Sequence, residues 1–139
     1  MFILAVQKYY GKYRALVVDL NDPEKRGRIR VQCPEVLGDS KSPWCEICVP
    51  VAYEKGGDFC LPKLNDFVWV EFESGNPMKP IWLGGCWSIG NTSLSDYSKS
   101  KTTRVIEFDG CRIEMEKGKI LITNGEATIR LEGANIYLN

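Results

Sequence analysis

The last quarter of the chain, from Arg104 to Asn139, alternates apolar and polar side chains through a series of short segments. A period of two is typical of β-strands that bury one face and expose the other to water. The polar positions, mainly Glu, Arg, Thr and Asn, are therefore predicted to face solvent. The apolar positions, predicted to form a dry face, are Ile106, Phe108, Ile113, Met115, Ile120, Ile122, Ile129, Leu131, Ile136 and Leu138.

Glycine-containing pairs separate these segments and predict tight turns, because glycine readily adopts the positive φ that short hairpins require. The pairs are Asp109-Gly110, Lys117-Gly118, Asn124-Gly125 and Glu132-Gly133. Residues 104–139, which we call the tail, contain no helical pattern that could cover the dry face. Either the tail folds back on the rest of the chain, or several identical tails close around a shared dry axis. Very short, glycine-punctuated strands resemble the rungs of an intertwined β-prism or β-helix, which favours the shared axis.

The preceding part of the chain carries further strand patterns and no helical pattern of ordinary length. These patterns cover residues 14–21, 28–34, 44–51, 67–73 and 80–87. Pro23 and Gly27 predict a turn between the first two, because proline presets φ and glycine tolerates the exit geometry. Residues 35–42 and 52–58 are predicted to be loops. Strands without helices predict a small β-barrel or sandwich.

Alternation within these segments also predicts the core of this part of the chain. The residues expected to face inward are Ile29, Val31, Cys33, Ile47, Val49, Val51, Val68, Val70 and Phe72. Arg28, Arg30 and Gln32 fall between three of them and are expected to face solvent.

A stretch rich in Ser, Thr and Lys, residues 88–103, predicts a linker before the tail. The predicted organisation is an N-terminal arm of residues 1–9, a body of residues 10–87, this linker, and the tail. The first seven residues could form an edge strand, a short helix or a docking arm, and periodicity does not separate these.

The 139-residue chain has 18 basic and 18 acidic residues and no histidine. Balanced charge gives no overall attraction to nucleic acid or anionic membranes. The absence of histidine removes the commonest general base and metal ligand, and no pair of carboxylates has a spacing that indicates acid–base catalysis. We therefore predict that the protein is not an enzyme and has no catalytic residue and no cofactor.

The six cysteines would suit a disulfide framework in a secreted protein, but residues 1–6 lack the basic leader and cleavage site of a signal peptide. Reduced, mostly packed thiols are therefore expected. Cys45 and Cys48 form a CxxC pair flanked by Cys33 and Cys60, which leaves a zinc site as an alternative. Residues three apart in a strand point to opposite faces, which argues against shared coordination and against a redox pair. No metal site is therefore predicted.

A short basic run crosses the first predicted hairpin and consists of Lys25, Arg26, Arg28 and Arg30. A small barrel with such a run could bind single-stranded nucleic acid, with Trp and Tyr side chains as stacking platforms. A solvated strand face neutralised by nearby acids, Glu24 and Glu35 among them, is favoured, because the run is short and the net charge is zero. Trp69, Trp82 and Trp87 could line a ligand groove, but core or subunit packing is the favoured interpretation.

Four stretches of the body carry motifs that follow one another in register. They are YGKYRALVVDLNDPEKRGRIRVQCPEVLGD from residue 10, SPW from 42 with VP at 49, FVWVEFE from 67, and GNPMKPIWLGGCW from 75. Together they resemble the baseplate V, or tail central spike, family of phages, whose OB-fold module is shared with the type VI secretion spike protein VgrG. The resemblance covers residues 10–87, and the tail is similar to that family's spike by pattern more than by motif.

The resemblance implies an all-β protein in which an N-terminal OB-fold barrel precedes a short, intertwined trimeric β-helix or β-prism needle. It implies a homotrimer, with the ten dry-face residues of the tail on the trimer axis. The expected role is the structural central spike of a contractile injection machine, in the baseplate of a phage virion or a phage-tail-like particle assembled in the bacterial cytoplasm. Such a spike pierces the envelope of the target cell and joins the hub and tube to the tip.

This sequence departs from some members of the family. The 88–103 stretch has no room for the lysozyme domain that some relatives carry, and the short segment before the barrel implies that the baseplate hub protein is a separate chain. The arm residues Phe2, Ile3, Leu4 and Val6 are expected to dock on that hub. Without histidine, the His-x-His iron site of some spike tips cannot form, and the short needle suggests a separate tip-capping protein. An OB-fold protein that binds single-stranded nucleic acid remains the alternative.

Overall fold

The computed structural model describes residues 6–88 and 102–139, and the chain divides into two compact units, residues 1–89 and 90–139. Both units consist mostly of β-strands, which confirms the all-β prediction. Within the described ranges, no helix is long and apolar enough to cross a membrane. Of the arm residues expected to dock on a hub, Phe2, Ile3 and Leu4 lie outside the described residues, and Val6 is 75% exposed.

Most of the body strands form one sheet, with the spatial order β2-β1-β6-β7-β3, and β4 and β5 pair as a separate hairpin. Neighbouring strands are antiparallel except β3, which runs parallel to β7. A short helix α1, Pro34–Leu37, follows β2, and a single 3₁₀ turn, Glu73–Gly75, follows β6. The strands are β1 (Tyr13–Asp19), β2 (Arg30–Gln32), β3 (Glu46–Ile47), β4 (Ala52–Tyr53), β5 (Gly56–Gly57), β6 (Phe67–Phe72) and β7 (Pro80–Cys86).

The body sheet curves around its core as an OB-like half-barrel. Ile29 and Cys45 exchange two backbone hydrogen bonds, of 2.8 and 3.3 Å, which link the segments that flank β2 and β3 at opposite edges of the sheet. The buried apolar core is Ala15, Val17, Ile29, Val31, Cys33, Cys45, Val68, Val70, Phe72 and Trp82. The inward prediction is confirmed for the residues of the second and fourth segments, whose alternating side chains fill this core.

The third predicted strand is much shorter in the structure than the sequence pattern indicated. Only Glu46–Ile47 forms a strand, and Val51 is half exposed instead of facing the core. Pro50 explains the early end, because proline has no N–H to donate to a ladder. Residues 51–60 form an exposed lobe around the β4–β5 hairpin, in which the Tyr53 ring lies against Gly56.

Two further boundaries differ from the predictions, each for a local reason. The second strand ends at Gln32 because Pro34 opens α1, and proline suits the first turn of a helix. Part of the predicted 35–42 loop is therefore helical. Ser42 closes this segment back onto β2, since its N–H donates to the Val31 carbonyl and its Oγ accepts the Val31 N–H at 2.9 Å.

The tail sheet is an antiparallel meander in which every strand pairs with its sequence neighbours. The turns fall at the predicted glycine pairs, and Asp109 and Gly110 both have positive φ, as in the type I′ hairpin turn. The prediction of five short alternating strands is confirmed. They are β8 (Arg104–Phe108), β9 (Cys111–Glu116), β10 (Lys119–Thr123), β11 (Thr128–Glu132) and β12 (Asn135–Leu138).

Candidate assembly interface

The register of the tail strands aligns the predicted dry residues in rows that run across the sheet. The pairing from β8 to β12 builds two such rows, two residues apart in each strand. The second row consists of Met115, Ile120, Leu131 and Ile136. Phe108 pairs with Cys111 at the margin of the same face. The first row is Ile106, Ile113, Ile122, Ile129 and Leu138.

This apolar face is uncovered in the single chain. The exposed fraction of its ten predicted residues runs from 37% to 77%, highest on the outer strands β8 and β12. An open groove of about 630 Å³ lies on it between Cys111, Ile122, Ile129 and Leu138. A soluble monomer rarely exposes a continuous apolar patch of this kind, so the face is a candidate interface.

On the opposite, polar face both arginines have partners. Arg112 donates to Glu107 at 2.8 Å and to Glu114 at 2.6 Å, and its side chain is only 11% exposed. The guanidinium of Arg130 lies 4.3 Å from the ring centroid of Tyr137. The polar side chains are thus better packed than the apolar ones, and the apolar face is the one that needs a cover.

Covering the apolar face has a substantial free-energy value. Full burial of an Ile, Leu, Phe or Met side chain stabilises by about 1.5–3 kcal/mol, so burying the exposed half of each returns about half of that. For ten side chains this is about 8–15 kcal/mol per chain. Three chains together gain about 24–45 kcal/mol. A trimer requires two association steps at about 4–15 kcal/mol each, about 8–30 kcal/mol in all, so association through this face alone is feasible.

In the body, two residues of the basic run that suggested nucleic-acid binding, Arg26 and Arg28, are engaged by carboxylates. Arg26 donates two hydrogen bonds to Glu46, of 2.8 and 2.7 Å, and a third to Glu24 at 2.7 Å. These hydrogen bonds, to Glu46 first and then Glu24, raise the pKa of the Arg26 guanidinium. Lys25 is exposed in the turn.

The prediction that Arg28 faces solvent is wrong. Its side chain is 9% exposed and donates from Nε and Nη2 to Asp22 Oδ1, at 3.0 and 2.7 Å. Asp22 also accepts the backbone N–H groups of Glu24, Arg26 and Arg28 itself, so its carboxylate holds the whole turn together. The Arg28 hydrogen bond holds the pKa of Asp22 far below its usual range.

Arg30 is half-buried and not simply a solvated charge, as its place on the strand had suggested. Its Nε donates to the Ser42 carbonyl at 3.0 Å, and its guanidinium lies 5.3 Å from the Trp44 ring centroid. Arg28 approaches the same ring at 5.7 Å. Arg28 and Arg30 therefore connect this hairpin to the Asp22 turn, to the Ser42 carbonyl and to Trp44.

The Asp22 pairing predicts a pH dependence of the body's stability. The pKa of Asp22 is lower in the folded state than in the unfolded state, where it is near 3.8. The stabilisation from this pairing is therefore fully present above the unfolded-state pKa and is lost as the pH falls through the folded-state pKa. We expect the urea midpoint of the body to fall between about pH 5 and pH 2 more steeply in the native sequence than in Asp22→Asn. Equal slopes for the two proteins would contradict the pairing.

The cysteines of the CxxC pair occupy different environments. Cys45 is fully buried beside Ser42, and burial raises the pKa of its thiol to about 11, whereas Cys48 is exposed. Cys33 is buried too, and burial raises the pKa of its thiol, whereas Cys60 is exposed. Among the described residues, no three His, Cys, Asp or Glu side chains are grouped so that they could hold a metal ion.

The three tryptophans do not line a common groove. Trp82 is buried, and its indole N–H donates to the Gly27 carbonyl at 3.1 Å. Trp69 is half-buried with the Arg14 guanidinium 5.1 Å from its ring centroid, and Trp87 is 63% exposed. Packing therefore accounts for Trp82.

Comparison with known proteins bears on the body. The comparison with curated proteins gave no match. The family model described as the type VI secretion system/phage-baseplate injector OB domain matches residues 13–87, more than half of the chain. The matched range begins at the first residue of β1 and ends one residue beyond β7, so it coincides with the OB-like sheet and its core. The chain therefore belongs to the family of injector OB-domain proteins found in type VI secretion systems and phage baseplates.

Proposed function

We propose that this protein is the central spike of a contractile injection machine, a homotrimer whose three tails form a short needle. The observation that carries the proposal is the uncovered apolar face of the tail sheet, on a chain whose body belongs to the injector OB family. In this role the protein is a structural component of a phage virion or a tail-like particle.

Strand length favours a bundle of three sheets. A five-residue strand spans about 17 Å, and the axis of a triangular prism with that side lies about 5 Å from each face. Apolar sheets pack about 10 Å apart, so side chains from three faces would meet at the axis without a hole. Four sheets would leave the axis about 8.5 Å from each face, too far for Ile and Leu side chains to fill.

In this proposal the function is mechanical and involves no reaction at any side chain. Sheath contraction drives the rigid trimer against the envelope of the target cell, and the backbone ladders within each sheet and the dry axis resist buckling. The three barrels form a collar that adapts the needle to the tube and to a hub protein, with the N-terminal arm, including exposed Val6, as the docking element. β12 is an edge strand of the tail sheet, and its unpaired edge is the surface to which a tip-capping protein would bind.

Nucleic-acid binding is the weaker proposal for the body. This proposal requires the basic run to attract phosphates, but Arg26 and Arg28 already form ion pairs with Glu46, Glu24 and Asp22. Affinity for single strands depends on cations that are available to phosphates. We expect no micromolar affinity for labelled single-stranded DNA in fluorescence anisotropy.

Cys111 provides a direct test of the covered face. It lies on the apolar face, opposite Phe108, and is exposed in the single chain, as are Cys48 and Cys60 in the body. We expect iodoacetamide to modify Cys48 and Cys60 in the native protein while Cys111 reacts at least about tenfold more slowly than in denatured protein, because burial restricts access to the thiolate.

The exposed body cysteines are the internal control, and the variant Ile122→Lys should restore the reactivity of Cys111. Rapid modification of Cys111 in the native protein, at a rate equal to that of Cys48, would contradict a needle closed around this face.

A further inference from the structure

The turns of the tail meander project from two sides of the sheet and alternate in level. One side, which we call the acidic side, carries the β8–β9 turn with Asp109 and the β10–β11 turn with Glu126. The other side, which we call the lysine side, carries the β9–β10 turn with Lys117 and the β11–β12 turn at Gly133. Turns on opposite sides therefore sit one strand spacing, about 4.8 Å, apart along the stacking direction.

The turns are fixed in position by hydrogen bonds. Asn124 Oδ1 accepts the N–H groups of Glu126 and Ala127, at 3.0 and 2.7 Å, and Thr123 Oγ1 donates to the Ala127 carbonyl at 2.9 Å. On the lysine side the Gly133 N–H donates to the Gly118 carbonyl at 3.2 Å. The turns on both sides are therefore held at defined levels along the stacking direction of the strands.

Closed threefold symmetry brings unlike sides together. In a ring of three parallel tails, each contact is head-to-tail, so the acidic side of one sheet meets the lysine side of the next. A pure rotation adds no shift along the axis. The β9–β10 turn of one chain then lies opposite the space between the β8–β9 and β10–β11 turns of its neighbour.

The charges of the turns at this junction are complementary. Lys117 is the ionisable residue of the turns on the lysine side, and Asp109 and Glu126 are those of the turns on the acidic side. Within residues 6–88 and 102–139, no ion pair joins Lys117 or Glu126 to another side chain. A lysine side chain is long enough to reach either acid from a position between them.

On the basis of the proposed trimer, we propose that Lys117 of each tail docks between Asp109 and Glu126 of the neighbouring tail. This contact sets the axial register of the needle. The partner surface is thus a second copy of the same sheet, met edge to edge at the corner of the prism. The apolar face supplies the affinity of the trimer, and the corner charges select a register without axial slip, because a shift by one strand would place Lys117 opposite a turn instead of between two.

Zero-length carbodiimide crosslinking tests this contact on the full-length protein. Within one chain Lys117 is separated from Glu126 by β10 and from Asp109 by β9, about 17–20 Å, so an isopeptide bond to either acid must join two chains. A mixture of ¹⁵N-labelled and unlabelled protein, unfolded together and refolded, should give crosslinked peptides of mixed label containing Lys117 and Glu126 or Asp109. A trimer whose Lys117 forms no such interchain link would overturn the corner contact and leave the proposed function standing; a monomeric protein would overturn both.

Charge reversal gives a second measurement that does not depend on crosslinking yield. Lys117→Glu should raise the protein concentration at which the trimer dissociates by at least about tenfold, and the effect should shrink in 1 M salt, because exposed charges are screened. Lys41→Glu, the same charge change at an exposed position in the body, should shift it less than about twofold. Equal shifts for the two variants, or a shift that salt does not change, would refute the contact.

Discussion

The variant Ile122→Lys is expected to exist as a monomer with a folded body. Ile122 occupies the middle of the apolar row, paired with Ile113 on one side and Ile129 on the other. In the trimer it would place three ammonium groups on a dry axis, and each unpaired buried charge costs several kcal/mol. Added to the cost of association itself, that penalty exceeds what the remaining apolar contacts return, so association fails. Sedimentation velocity measures the mass, and far-UV circular dichroism reports the melting of the body.

Thr128→Lys is the matched control, since Thr128 neighbours Ile129 in β11 and lies on the polar face. It should remain trimeric with nearly unchanged stability, whereas Ile129→Lys should behave like Ile122→Lys. If Ile122→Lys stays trimeric at micromolar concentration, the assignment of this face to the interior of the needle is wrong.

The second large effect is expected in the body, from Trp82→Ala. Trp82 is 6% exposed, contributes the largest side chain of the core and bonds the Gly27 carbonyl, which ties β7 to the turn before β2. Truncating a buried tryptophan costs about 3–5 kcal/mol of unfolding free energy, because contacts are lost and a cavity remains. Urea unfolding followed by circular dichroism measures the change.

Trp87→Ala provides the comparison in the same strand region, because Trp87 is largely exposed. Its free energy of unfolding should change by less than about 0.5 kcal/mol. A loss for Trp82→Ala as small as that for Trp87→Ala would show that Trp82 does not belong to the core.

The tail strands could be predicted from the sequence because their signals are local. Alternation fixes the face on which Ile120 and Ile122 lie, and the glycine of each turn pair fixes where a strand ends. The meander then follows, since short turns join neighbouring antiparallel strands. The same signals predict a dry apolar face but do not identify its cover, because periodicity predicts which side is buried and not the identity of the partner.

The turn at Asp22 could not be predicted from alternation. Strand parity places Arg28 outward, and outward residues are normally solvated, yet its side chain turns back onto a carboxylate six positions earlier. The available signal was the Asp-Pro pair at residues 22 and 23, since aspartate at such a turn commonly accepts backbone N–H groups. The pairing of Asp22 with Arg28 depends on the three-dimensional path of the turn, which an alternation with a period of two does not predict.

The third predicted strand failed for a related reason. Val49 and Val51 fit the alternation that begins at Ile47, but Pro50 between them cannot donate to a ladder, and the sheet ends before it. An alternating pattern predicts which face a residue would occupy if it were paired. Whether it is paired depends on a neighbouring strand. Of the third predicted strand, only Glu46 and Ile47 pair with β7.

The mass of the purified full-length protein in solution tests the central proposal most directly. Multi-angle light scattering at micromolar concentration should give three times the 15.7 kDa mass of one chain. A mass of two chains would replace the needle by a two-layer sandwich, and a stable, soluble species of one chain would contradict the proposal that identical tails cover one another.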